Sequence, residues 1–156
     1  MKRKIRAGSE NETSFLNVDL DIYSKSNLER LVEALGDGVF VNYVGREKGR
    51  YSAHLSRSSF GQSADALMGE LAHLIKKLPR QVKRLWDSAA SREFNVGIEA
   101  GKKPSSHVIL ITEKTIKLVA ALKGGIAITT YPHMNLGSTR ISSRLGDIQP
   151  RRRERA

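Results

Sequence analysis

Asp19 and Asp21 stand two apart in a stretch where apolar and polar residues alternate, a spacing that puts both carboxylates on one face of a strand. Carboxylates so placed can bind a divalent cation or share a proton in acid-base work. No Glu-x-Lys element follows to complete a nuclease-like set, and the polar outer face of an ordinary strand carries the same pattern. His54, His73, His107 and His133 fall on different elements, without short ligand spacing and without an HExxH helix, so no metal site is expected. An enzyme on the sheet face would require Asp19, Asp21 and a histidine to meet in a pocket. Cysteine is absent, which removes thiolate nucleophiles, disulfides and cysteine zinc sites. Neither a Gly-x-Ser-x-Gly elbow nor a Ser-x-x-Lys pair occurs. No catalytic residue and no cofactor is therefore assigned.

Ligand-binding patterns are more visible than catalytic ones. Ser58-Ser59-Phe60-Gly61-Gln62-Ser63 feeds a helix N-terminus, where free backbone N–H groups can hold a phosphate, but it lacks the P-loop and GxGxxG patterns and an ordinary cap explains it. Lys76, Lys77, Arg80, Lys83 and Arg84 cluster on a helical stretch, most of them on one side. Near the C-terminus, Arg151, Arg152, Arg153 and Arg155 follow Arg140 and Arg144 in a Gly/Ser-containing stretch. These two groups are the polyanion candidates, since clustered Lys and Arg bind phosphates by releasing counterions. Aromatic residues for base stacking are few, at 6%.

These residues need a framework. Residues 15–23 alternate strictly and predict a half-buried strand. Ser26-Asn27-Leu28-Glu29 reads as a capping box opening a short helix with Leu28, Leu31, Val32 and Leu35 on one stripe. Residues 39–44 and 50–57 predict two antiparallel strands joined by a glycine-bounded link. A long helical region runs from Ser63 to residue 90, kinked or divided at Pro79. Residues 94–98 and 107–112 predict a fourth and a fifth strand, Thr112 caps a third helix, and residues 126–131 form a sixth strand. Residues 31–35 and 38–41 echo residues 118–122 and 125–128, both being helix-to-strand transitions. The expectation is an α+β fold: a mixed sheet of about six strands with helices on one face, in a ferredoxin-like βαββαβ order extended by a third βαβ unit.

A chain of 156 residues with 39% hydrophobic and 28% charged residues fits one domain, placed at residues 14–136. The net charge of +11 divides unevenly. Residues 1–13 carry four basic and two acidic side chains and residues 137–156 six and two, so the ends hold +6 of the total. Both ends are expected to be flexible basic segments. The basic N-terminus lacks the apolar run of an export signal, and no long apolar stretch occurs, so a cytoplasmic location without membrane contact is expected.

Residues 74–78, Leu85-Trp86, Phe94-Asn95-Val96-Gly97-Ile98 and Thr112-Glu113-Lys114-Thr115, with the run through Leu118 to Leu122 and on to Tyr131, resemble a group of small uncharacterised bacterial α+β proteins catalogued as a domain of unknown function. The resemblance covers roughly residues 14–134 and implies a fold, with no catalytic residues to carry over. The functional expectation is a non-catalytic protein-binding module, of an accessory or immunity-like kind, engaging its partner through the solvated sheet face or an uncovered edge strand. The alternative is a nucleic-acid-binding protein using the basic helix and the basic tail.

Overall fold

The computed structural model describes residues 12–57, 61–102 and 106–133. The alternating stretch forms strand β1 (Ser14–Ser24), in which Val18, Leu20 and Ile22 are wholly buried. Between them Asn17, Asp19, Asp21 and Tyr23 are half-buried on the opposite face. Helix α1 (Glu29–Leu35) follows, turning Leu31, Val32 and Leu35 inward. Its start departs from the capping-box expectation: the Asn27 side chain accepts from the Glu29 N–H at 2.8 Å, while Ser24, not Ser26, accepts from a neighbouring amide.

Strands β2 (Phe40–Glu47) and β3 (Arg50–Arg57) form the expected antiparallel hairpin, but pairing runs deeper into the link than its glycines suggest. Only Lys48 and Gly49 turn the chain, both with positive φ, which is the two-residue hairpin geometry whose twist matches that of the strands. The long helical stretch divides at Pro79, as expected of a residue without an N–H, into α2 (Ala64–Lys76) and α3 (Arg80–Asp87). Strand β4 (Ser91–Glu99), helix α4 (Glu113–Ala121) and strand β5 (Gly125–Tyr131) complete the described order.

The fold is α+β with one mixed sheet, in the order β2-β3-β1-β4-β5. Strand β3 lies antiparallel between β1 and β2, and β1 lies antiparallel between β3 and β4. The first two strand-helix-strand units are thus split, each enclosing a strand of the other. Among the described strands only β4 and β5 pair side by side in parallel. All four helices contribute to a single core with the Val18, Leu20, Leu55 and Phe94 face of the sheet, centred on Trp86, Leu67, Met68 and Leu71. Trp86 donates its indole N–H to the Leu122 carbonyl at 2.9 Å and meets Phe94 edge-to-face, tying α3 to the end of α4.

The sheet has five described strands where six are expected, and four helices where three helical regions are. The missing strand is the one expected at residues 107–112, which join no sheet, and the extra helix comes from the division at Pro79. Both neighbours of β4 are already supplied by β1 and β5, so the segment finds no ladder there. Ile109 and Ile111 pack against the core while Val108 and Leu110 point outward, the alternation of an extended segment that has no partner strand among the described residues. Consequently β4 serves both the second and the third crossover.

Candidate functional site

The sheet face away from the helices carries the residues singled out for chemistry. Register sets Asp21 between His54 and Glu93, and Asp19 between Ser56 and Asn95. His54 donates its Nδ1–H to Asp21 Oδ1 at 2.7 Å, and its ring is flanked by Tyr23 and Tyr43, with centroids 5.6 and 5.9 Å away. Arg50 lays its guanidinium over Tyr23, 4.1 Å from the ring centre. Asn17 donates to Asp19 at 2.7 Å, Asn42 donates to Ser56, and Thr129 donates to Asn95 at 2.8 Å. Burial holds the Asp19 carboxyl above the ordinary value of 3.8, opposed by the Ser56 hydrogen bond and assisted by the charge of Asp21. Burial also raises the Tyr23 phenol, and the Asp21 charge adds to the effect.

The structure thus brings Asp19, Asp21 and one histidine together, as an enzyme on this face would require. They meet on an open sheet surface and not in a described cavity. The nearby hydroxyl, Ser56, is engaged by Asn42 and Asp19 and not by His54, so the two are not arranged as nucleophile and base. His73 is bonded to the Gly69 carbonyl one helical turn back, His133 pairs with Glu99 at 3.2 Å, and His107 lies in the segment outside the sheet. Among the described residues no three His, Asp or Glu side chains gather as metal ligands.

The serine-rich loop is described only from Gly61 onward. There Ser63 caps α2 by accepting from the Ala66 N–H at 3.2 Å. The first turn already holds a carboxylate, Asp65, which accepts from the Thr112 amide at 2.8 Å and from its hydroxyl at 3.0 Å. A helix N-terminus that has its own anion does not favour a second. Beside it an open cavity of about 550 Å³ is bounded by Phe15, Ser63, Asp65, Val108, Leu110 and Thr112.

Of the basic helical cluster, Lys76, Lys77, Arg80 and Arg84 are exposed, and Lys83 is half-buried against Asp87 at 2.6 Å. Its α3 members lead toward the end of the sheet where the Ala90 N–H donates to the Tyr23 carbonyl. Ser14 marks the other end, nine residues and about 30 Å along β1. Arg151, Arg152, Arg153 and Arg155 lie outside the described residues.

Sequence reasoning missed the apolar surface of residues 106–131. Val108 is 83% exposed, Leu110 71% and Ile128 68%, with Ile116, Ile126 and Tyr131 also exposed. Ile126 and Ile128 are in register with the buried Phe94 and Val96, so they occupy the core face of a strand that the helical layer does not reach. The signal was present as the unbroken apolar run from Val108 to Ile111, too apolar for a strand with one wet face. The opposite edge strand, β2, exposes Phe40 at 65%. No helix among the described residues is long and apolar enough to cross a membrane. No family model, curated protein or solved structure matches the chain.

Proposed function

We propose that this chain is a protein-interaction module on a ferredoxin-like framework, and that its docking surface is the flank made by residues 106–112, α4 and the edge strand β5. One observation carries the reading: among the described residues, six of the ten exposed large apolar side chains fall between Val108 and Tyr131, in the unit appended to the split βαβ pair. Scattered apolar residues are normal on a protein surface, but a concentration beside a free strand edge marks a place where another chain docks. The outer edge of β5 offers backbone donors and acceptors for strand addition, while Ile126 and Ile128 supply side chains for a partner's alternate residues.

The test is capture of a partner from the native host with the tagged full chain. The expected result is a stoichiometric protein, lost when Leu110→Lys and Ile128→Lys are introduced together. Both side chains are exposed, so the double variant should fold normally, which its circular dichroism checks. Recovery of no stoichiometric partner, or retention of the partner by the folded double variant, overturns the proposal.

A further inference from the structure

Of the two edges of the described sheet, one is guarded and one is not. Edge strands are commonly blunted by charges, prolines or bulges, because their unpaired N–H and C=O groups invite another strand. Strand β2 has a bulge between Val41 and Tyr43 and ends in Arg46 and Glu47. Strand β5 has no charged residue and no proline, and its ladder with β4 runs without a register shift.

The backbone of β5 divides its groups in a regular way. The Tyr131 carbonyl accepts from the Ala100 N–H, on the β4 side. Successive residues of a strand turn their N–H and C=O to opposite sides. Gly125, Ala127 and Thr129 therefore face β4 as Tyr131 does, and Ile126, Ile128 and Thr130 face the outer edge. These three positions are symmetric about Ile128. A second β5 running antiparallel meets all of them at once: Ile128 exchanges bonds with its counterpart, and Ile126 exchanges bonds with Thr130. The same three side chains lie on the core face of the sheet, in register with Phe94, Val96 and Ile98, and there Ile126 and Ile128 are exposed.

We infer that this flank docks a second copy of the chain, joining two sheets into one through antiparallel β5 edges related by a two-fold axis at Ile128. The pairing rests on the docking role proposed for the flank and gives the flank its partner. It sets Ile128 against Ile128 and carries the apolar layer across the joint, on the side where α4 exposes Ile116. Like-charged copies can meet here, since β5 is uncharged and on α4 Glu113 is paired with Lys117. Seven residues span about 23 Å, and sheet and helical layer together are about 20 Å deep, which gives about 450 Å² per copy and about 900 Å² in all. That is the size of a weak, reversible dimer. Because the contact is isologous it uses the β5 edge of both copies and closes at two, with the guarded β2 edges outward.

Cysteine cross-linking of the full chain reads this register, since the sequence has no cysteine of its own. Single variants Ile126→Cys, Ile128→Cys and Thr130→Cys are made, all at exposed positions, with folding checked by circular dichroism. Across the joint, residue 128 lies about 5.5 Å from its counterpart by Cα, a distance that a disulfide bridges, while residues 126 and 130 each lie about 14 Å from their own. Under mild oxidation in 1 M salt, Ile128→Cys should give a linked dimer on a non-reducing gel. Ile126→Cys and Thr130→Cys should each stay monomeric alone and should link when the two are mixed. Absence of linkage in Ile128→Cys, equal linkage of all three variants alone, or no linkage in the mixture overturns the pairing. The docking role has its own readout: with the pairing overturned, a host protein captured by the tagged chain and lost with the Leu110→Lys and Ile128→Lys double variant still sustains that role.

Discussion

At the scale of single residues, the half-buried carboxylates divide into two kinds with opposite responses to pH. Asp19 is held above 3.8, chiefly by burial, and so binds its proton more tightly folded than unfolded. Its ionisation therefore costs stability, and the loss grows as pH rises through and above 3.8. Asn at this position keeps an oxygen to accept from Asn17 and Ser56 but has nothing to ionise. Urea unfolding of Asp19→Asn between pH 3 and 6 should show the variant gaining on the wild type as pH rises, with the difference smallest at pH 3. A difference that stays flat or runs the other way would show that the hydrogen bonds and not burial dominate. Glu70 is of the second kind: the Arg57 hydrogen bond outweighs burial and lowers its carboxyl below 4.5, so its contribution is present at neutral pH and is lost on acidification. The sequence showed that Asp19 and Asp21 share a face, because period two is a local property. It did not show that His54 would join Asp21, since that contact depends on β3 pairing with β1 across 33 residues.

At the scale of elements, most of the order was readable and one element was not. The alternation of β1, the split at Pro79 and the apolar stripe of α2 each express a local rule, and the structure follows them. Residues 107–112 also obey a local rule, but whether an extended segment becomes a strand is decided by a free neighbouring edge, which no local pattern encodes. The echo between residues 31–41 and 118–128 has a similar limit: both are helix-to-strand passages, yet β2 joins β3 antiparallel while β5 joins β4 in parallel. In place of a ladder, residues 106–112 are pinned at one end by Asp65. Burial pushes its carboxyl up, but hydrogen bonds from Thr112 and Thr115 and the charge of Lys114 outweigh it, leaving Asp65 ionised below the usual range. Asp65→Ala removes both bonds to Thr112 and should cost about 1 kcal/mol, the typical net worth of a lost hydrogen bond. Hydrogen exchange should then speed up at residues 109–116 and remain unchanged in β1. Uniform acceleration across the molecule would mean that the clamp supports the global fold and not this segment alone.

At the scale of the whole molecule, charge and exposed apolar surface act against each other. The chain exposes Val108, Leu110 and Ile128 beside one edge strand of the described sheet and Phe40 on the other, a surface that favours association. Its net charge of +11 opposes association by repulsion between copies. Residues 134–156 contribute six basic and two acidic side chains, so a chain of residues 1–133 carries +7. Every described core residue lies between Val18 and Leu122, and the shortened chain should unfold at nearly the same urea concentration as the full one. Its self-association should differ. With repulsion reduced, sedimentation velocity at matched concentration and low salt should show the shortened chain associating more strongly. The full chain should approach that behaviour at 1 M salt, where screening shortens the reach of charge to about 3 Å. Ile128→Lys should lessen association of both chains, because it adds charge where the apolar flank meets the β5 edge. If the shortened chain remains as monomeric as the full one at every salt concentration, the exposed flank is not sticky enough to need restraint by charge, and the tail's positive charge has no role in keeping copies apart.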